Sequence, residues 1–259
     1  MIAIYMPAAY GAAWQYCFYS CINLPLLKTT FRFHTASAGS GPLAIDIRVD
    51  CQQDTVMDKD KLFPATIMPD KGWWHALWPD PEAVLRAVGI EPDMQVVDLC
   101  CGDGHFTQPM CELVQAGKTW ALDLDPELLS QAEKVCAQNP NFLSILGDAR
   151  ELPVQISEPV DFVFIANTFH GVPDKITLSK AVYDVLKKGG RFAIINWYRR
   201  PREETTVLNQ PRGPDTKLRM EPEDVRAVVE PAGFIFEKIV DVGPYHYGAI
   251  FIKPGDAKV

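Results

Sequence analysis

The chain lacks any excess of positive charge: 25 Lys and Arg stand against 33 Asp and Glu, a formal charge of −8 over 259 residues. A nucleic-acid binder ordinarily presents a basic face able to release phosphate counterions, so that class is disfavoured. The C-x-x-C spacing is also missing. The seven cysteines include no C-x-x-C pair, and Cys100 and Cys101 are adjacent. That spacing suits neither a disulfide framework nor a zinc clip; no metal is expected, and a reducing cytoplasm is the expected compartment. Gly and Pro show no period, and with 47% hydrophobic residues the chain is neither collagen-like nor wholly disordered. No internal repeat is present.

Charge is absent altogether from the first 27 residues, Lys28 being the first charged side chain. A bilayer span needs about 20 predominantly apolar residues. Pro7, Gln15, Asn23 and Pro25 interrupt this stretch, so no stable membrane insertion is expected. A secretory signal would open with basic residues, and none precede it. Residues 35–42, Thr-Ala-Ser-Ala-Gly-Ser-Gly-Pro, read as a linker. A weak membrane-associating segment, a disordered tail and upstream sequence taken in by a mistaken start codon all remain open. Met57, ahead of Asp58-Lys59-Asp60-Lys61, is a natural start. The expected organisation is an N-terminal extension over 1–56 and one folded domain over 57–259.

What is present after residue 80 is alternation. Pro81 opens a helix over Glu82–Val88 that Gly89 closes, and a buried strand is expected over Met94–Leu99. Phe106, Met110, Leu113 and Val114 recur at helical spacing up to Gly117. Thr119–Leu124 is a second strand, followed from Asp125-Pro126 by a helix to about Gln138. Asn141–Leu146 and Val160–Ala166 are the third and fourth strands, the fourth almost wholly apolar, as in a parallel sheet covered on both faces. A helix over Asp174–Lys188 ends at Gly189-Gly190, and Arg191–Asn196 is the fifth strand. After a helix over Pro222–Ala232, Phe234–Val240 and Tyr247–Ile252 are joined by too few residues for a parallel crossover, so they should pair antiparallel. The pattern predicts an α/β, Rossmann-like, doubly wound seven-stranded sheet, mostly parallel with a C-terminal antiparallel strand.

In such sheets ligands bind beyond the carboxyl ends of the strands. The first strand runs into Asp98-Leu99-Cys100-Cys101-Gly102-Asp103-Gly104, and Asp123 ends the second strand 21 residues after Gly102. That spacing lets its carboxylate reach both hydroxyls of a ribose. A dinucleotide fingerprint needs a third glycine, and Thr107 occupies that place. Asp98 would sit poorly beside a pyrophosphate but well beside an ammonium or sulfonium group, which points to a cationic nucleoside.

Here the sequence resembles the class I S-adenosylmethionine-dependent methyltransferases, in particular the small-molecule branch related to the ubiquinone-biosynthesis C-methyltransferases. The resemblance spans about residues 80–252 and rests on five ordered segments: Val96–Gly104, Ala121–Pro126, Gly147-Asp148-Ala149, Asp161–Asn167 and Leu186–Arg191. It implies S-adenosylmethionine as cofactor, held by Asp98, Cys100, Gly102, Gly104, Asp123, Leu124, Asp148, Ala149 and Asn167. Asp148 would meet the adenine amino group, and the fourth-strand segment would line the methyl-transfer site. The family usually has Gly where this chain has Cys100, so the loop must accept a side chain there.

Methyl transfer from a sulfonium mainly needs positioning and exclusion of water, with a base only for a protonated, weakly acidic acceptor. His170, His105 and His246 are candidates, each of which can equally be a hydrogen-bonded structural histidine; His170, just past the fourth strand, is the first choice among them for a base. Trp73, Trp74 and Trp78 either cover the site or staple the leading segment to the sheet. With Trp197 and His246 they are the substrate-side candidates. Residues 199–220 carry six basic against three acidic side chains and are either a solvated loop or a receiver for an anionic substrate. The expected function is methylation of O, N, S or C of a modest small-molecule acceptor, a small thiol being attractive because a thiolate needs little base. The alternatives are a non-catalytic cofactor-binding regulatory module and a nicotinamide dehydrogenase. Ala166-Asn167-Thr168-Phe169 departs from the Asn-Pro-Pro-aromatic pattern used on nucleic-acid base amines.

Overall fold

Apolar residues come in unbroken runs in the central strands, and the computed structural model shows where each alternate side chain goes. It describes residues 69–255; the extension over 1–56, the 35–42 linker and the start at Met57 lie outside the described residues. The elements are α1 (Lys71–Leu77), α2 (Pro81–Val88), β1 (Gln95–Leu99), α3 (Thr107–Leu113), β2 (Lys118–Asp123), α4 (Pro126–Cys136), β3 (Phe142–Leu146), the single turn α5 (Leu152–Gln155), β4 (Val160–Ala166), α6 (Lys175–Val185), β5 (Leu186–Trp197), the two-residue strands β6 (Thr206–Val207) and β7 (Gln210–Pro211), α7 (Pro222–Val229), β8 (Ile235–Asp241) and β9 (His246–Ile252). Seven strands form one sheet in the order β3-β2-β1-β4-β5-β9-β8. β1 to β5 pair in parallel, and β9 runs antiparallel to both β5 and β8.

Val97, Leu99, Val163, Ile165, Phe192 and Ile194 face one layer, against Leu178 and Val182 of α6 and Val225 and Val229 of α7. Their neighbours Val96, Phe162, Phe164, Ala193 and Ile195 face the other, against Leu85 and Val88 of α2 and Met110 of α3. The period of two therefore splits one apolar run between two cores, the arrangement expected of a parallel sheet with helices on both sides. Each fully buried Leu or Phe contributes about 1.5–3 kcal/mol against chain entropy.

Helix starts follow the sequence. Asp80 accepts from Ala83 N (2.9 Å) ahead of Pro81, and Asp125 accepts from Glu127 N (2.8 Å) ahead of Pro126. Gly117 ends the segment after α3 because a Cβ there would lie 1.8 Å from Met94 O.

Two helix ends and one loop differ most from expectation. The helix predicted to reach Lys188 stops at Val185, and β5 begins at Leu186. Leu186 pairs with Val160 and Arg191 with Phe162, while Gly189 N donates to Lys253 O (2.8 Å) and Lys253 N to Gly190 O (2.9 Å). Cross-strand bonds thus outcompete the helix propensity of the two lysines. The last helix ends at Val229 and finishes as a tighter turn over Glu230–Ala232 before left-handed Gly233. Residues 199–220 are not a bare loop: β6 and β7 form a hairpin around Leu208 and Asn209, both left-handed, flanked by turns at Arg202–Glu204 and Thr216–Leu218.

Candidate active site

The strand order reverses between β1 and β4, and at the carboxyl ends of the strands lies a cavity of about 360 Å³. The order of strands also orders the wall: residues after β3, β2 and β1 at one end, those after β4 and β5 at the other.

At the first end Asp98 is buried, and its Oδ2 accepts from Thr107 Oγ1 at 2.6 Å. Burial raises its carboxyl from 3.8 to about 7, against the lowering effect of that hydrogen bond. Asp123 is held at both oxygens: Oδ2 accepts from Gly102 N and Oδ1 from Asp125 N, each at 2.8 Å. Burial raises this carboxyl too, with the backbone bonds opposing. Each oxygen keeps a lone pair for a further donor. Asp148 accepts from Arg150 N (2.9 Å) and pairs with Arg150 Nη2 (2.5 Å). Cys100, with φ 56°, stands in the left-handed region at a position on the cavity wall. Burial and the carboxylates of Asp123, Asp98 and Asp148 keep its thiol protonated, so it is no thiolate nucleophile.

At the other end Asn167 is left-handed (φ 60°) and donates its backbone N to Ile195 O (2.9 Å). Neither atom of its side-chain amide has a hydrogen-bond partner among the described residues. His170 sits in the turn Phe169–Gly171. Burial lowers its pKa to about 4, the positive charges of Lys175 and Arg219 acting the same way. Trp73 and Trp74 of α1 and Trp197 at the end of β5 complete this end with Arg202 and Arg212.

The cavity thus brings together Asp98, Cys100, Gly102, Asp123, Leu124, Asp148, Ala149, Asn167, His170, Trp73, Trp74 and Trp197, with His105. Three named residues lie off its wall. Gly104 (φ +89°) faces α4, where a Cβ would come within 2.9 Å of Ala132 Cα; it allows loop and helix to pack. His246 is fully buried, its ring 4.5 Å from that of Trp78 and 4.0 Å from that of Trp197. Burial holds its pKa well below the ordinary value. Trp78 packs on Phe106 and His246 rather than facing the cavity. Trp73 and Trp74 thus wall the cavity while Trp78 fills the core; the leading segment they were alternatively expected to staple lies outside the described residues. Residues that sequence reasoning did not single out include Leu128, Val172 and Leu178; each is one more apolar residue in its element, and nothing local marks it. Arg202 and Arg212 were noticed only as part of a basic stretch.

Residues 96–190 match a family model described as a methyltransferase domain. Over these residues and the sheet around them, the chain is similar to S-adenosylmethionine-dependent methyltransferases. A demethylmenaquinone methyltransferase of Staphylococcus aureus strain MRSA252 is 30% identical over 117 residues, 45% of this chain and 47% of that one. The chain thus spans about half the length of the curated relatives it matches. A solved S-adenosylmethionine-dependent methyltransferase from Aquifex aeolicus is 25% identical with a TM-score of 0.59, covering 69% of this chain and 92% of that one. A glycopeptide N-methyltransferase solved with sinefungin shares the fold at 16% identity and a TM-score of 0.53, over 67% of this chain and 92% of that one. The described residues have the mostly parallel seven-stranded sheet with a C-terminal antiparallel strand that the sequence predicted.

Proposed function

We propose that the protein transfers a methyl group from S-adenosylmethionine to a small-molecule acceptor in the cavity above β1, β4 and β5. The observation that carries this reading is Asp98: a buried carboxyl whose only hydrogen bond among the described residues is from Thr107, beside a ribose-competent Asp123, fits a nucleoside bearing positive charge. Asp123 would hold the ribose hydroxyls, Gly102 and Cys100 the backbone approach, Leu124, Asp148 and Ala149 the adenine, and Asn167 with its free amide the amino-acid portion.

When bound, the cofactor supplies a methyl group on a sulfonium, whose C–S bond electrons leave with the sulfur as the acceptor's lone pair forms the new bond. The protein's part is positioning. Trp73, Trp74 and Trp197 exclude water and hold an acceptor in line, the kind of contribution that dominates where the leaving group is already good. His170, neutral at pH 7 with a pKa of about 4, is a weak base in the ligand-free protein. This favours acceptors that need little deprotonation, such as a small thiol, and leaves His170 as an orienting hydrogen-bond partner. Relatives named as demethylmenaquinone methyltransferases support a small-molecule acceptor. Net charge −8 and the Ala166–Phe169 sequence speak against nucleic acid.

The test is release of S-adenosylhomocysteine from methyl-labelled cofactor with a panel of thiols, phenols and amines. Turnover of at least one acceptor supports the proposal. Tight cofactor binding with no product across the panel would favour a non-catalytic binding module.

A further inference from the structure

Three cations, Arg150, Arg202 and Arg212, line the cavity, and their partners differ by position. Arg150, after β3, is neutralised by Asp148. Arg202 and Arg212, in the segment after β5, form no ion pair with any described residue. Arg202 Nε donates to Gly213 O at 3.0 Å. Arg212 lies 5.3 Å over the ring of Trp73, and its buried Nε has no hydrogen-bond partner among the described residues. In a protein with a net charge of −8, two uncompensated guanidinium groups on one cavity wall need an explanation.

Their placement is built. Thr205 lies between them: its N donates to Arg202 O (3.1 Å), its O accepts from Arg212 N (2.9 Å), and its Oγ1 contacts both Arg202 O and Arg212 O at 2.9 Å. Arg219, only 1% exposed, locks the same segment from beneath. It donates to Pro214 O (3.1 Å), Arg200 O (2.9 Å), Thr205 Oγ1 (2.9 Å) and Arg212 O (3.2 Å), and stacks 4.8 Å over Trp197. A buried cation satisfied by carbonyl and hydroxyl oxygens is a rigid clamp, and it fixes the backbone of both cavity arginines relative to the β5 end of the sheet. The proposed cofactor residues follow β1 to β3, with Asn167 after β4, whereas these arginines follow β5, so they stand on the acceptor side.

We propose that the methyl acceptor is an anion, with a carboxylate-class group docked on Arg202 and Arg212, and that Arg219 is the positioning residue that sets them. This rests on the methyl-transfer reading above. A guanidinium presents a planar fork of donors matched to a carboxylate and remains charged at all relevant pH; opposite charge selects partners by penalising neutral ones that leave it unpaired.

The test is equilibrium binding, by calorimetry and by quenching of tryptophan emission. Small aliphatic and aromatic monocarboxylates and their matched carboxamides are titrated into protein saturated with S-adenosylhomocysteine. At least one carboxylate is expected to bind about tenfold or more tightly than its amide. R212Q and R202Q/R212Q should erase that preference, R212K should retain part of it, and S-adenosylhomocysteine affinity should stay within about twofold in all three. Arg202 is exposed, so R202Q alone is a folded control that should lower the preference partway. Equal binding of every acid and its amide by the native protein overturns the proposal. So does a fall in S-adenosylhomocysteine affinity in R212Q, which would give these arginines to the cofactor's own carboxylate. Failure of the native protein to bind S-adenosylhomocysteine at all is a separate result, and it removes the methyl-transfer reading on which the proposal rests.

Discussion

Asp98 sets the stability of the ligand-free protein against its affinity for a cationic ligand. Its carboxyl is 2% exposed and titrates near 7 instead of 3.8. Between about pH 4 and pH 7 the folded state therefore keeps a proton that the unfolded state has lost, so stability falls as pH rises through that window and levels off above it. The shift of about 3 units corresponds to an upper limit of about 4 kcal/mol. Asp98→Asn removes the titrating group but keeps an oxygen to accept from Thr107 Oγ1. The ligand-free variant should match the native protein near pH 4 and exceed it at pH 8, by up to about 4 kcal/mol. Binding should move the opposite way. Loss of the charge should weaken S-adenosylhomocysteine, whose ammonium it would face, by about 1–3 kcal/mol, and native affinity should itself fall as pH drops below 7. Urea unfolding of both proteins at the two pH values, with calorimetry at pH 8, reads all of this. A variant no more stable than the native protein at pH 8, or one that binds S-adenosylhomocysteine equally well, refutes the reasoning.

Three further expectations follow from single residues. Gly104→Ala places a Cβ against Ala132 at a positive φ and should cost about 1–3 kcal/mol in a thermal melt; an unchanged melting temperature would contradict the packing role. Cys100→Gly relieves a left-handed side chain worth about 1–2 kcal/mol, less about 0.5–1 kcal/mol of glycine chain entropy. That variant should be as stable as the native protein or up to about 1 kcal/mol more so, and a clear loss of stability would show that the thiol makes contacts that outweigh the strain. His170, with a pKa of about 4, should contribute no inflection to kcat/KM between pH 5.5 and 8. An inflection near pH 6.5 abolished by His170→Gln would reinstate it as a titrating base.

The sheet was legible because its signals are local. Val160–Ala166 is apolar at every position but Asp161, and the structure ends β4 at those residues; Asp80-Pro81 and Asp125-Pro126 write two helix starts in two residues each. Asp98 and Asp123 were legible because strand ends converge in any doubly wound sheet. What stayed hidden depends on contacts across the chain. Gly102 and Gly104 look alike in sequence, yet one donates to Asp123 on the cavity wall and the other packs on Ala132, a distinction set by α4. His246 and Trp78 are far apart in the chain and meet only because β9 lies beside β5. Arg219 reads as one more surface cation among residues 199–220, and only the folded segment shows four oxygens around it. The extent of β5 likewise depended on Lys253, which follows β9.

The most direct test of the central claim is a crystal structure of the protein with S-adenosylhomocysteine. The account predicts both ribose hydroxyls on the Asp123 carboxylate, the adenine beside Asp148 and Ala149, and the amino-acid end between Asp98 and Asn167, with the sulfur facing Trp197. A ligand seated elsewhere, or one whose ribose makes no contact with Asp123, would contradict it.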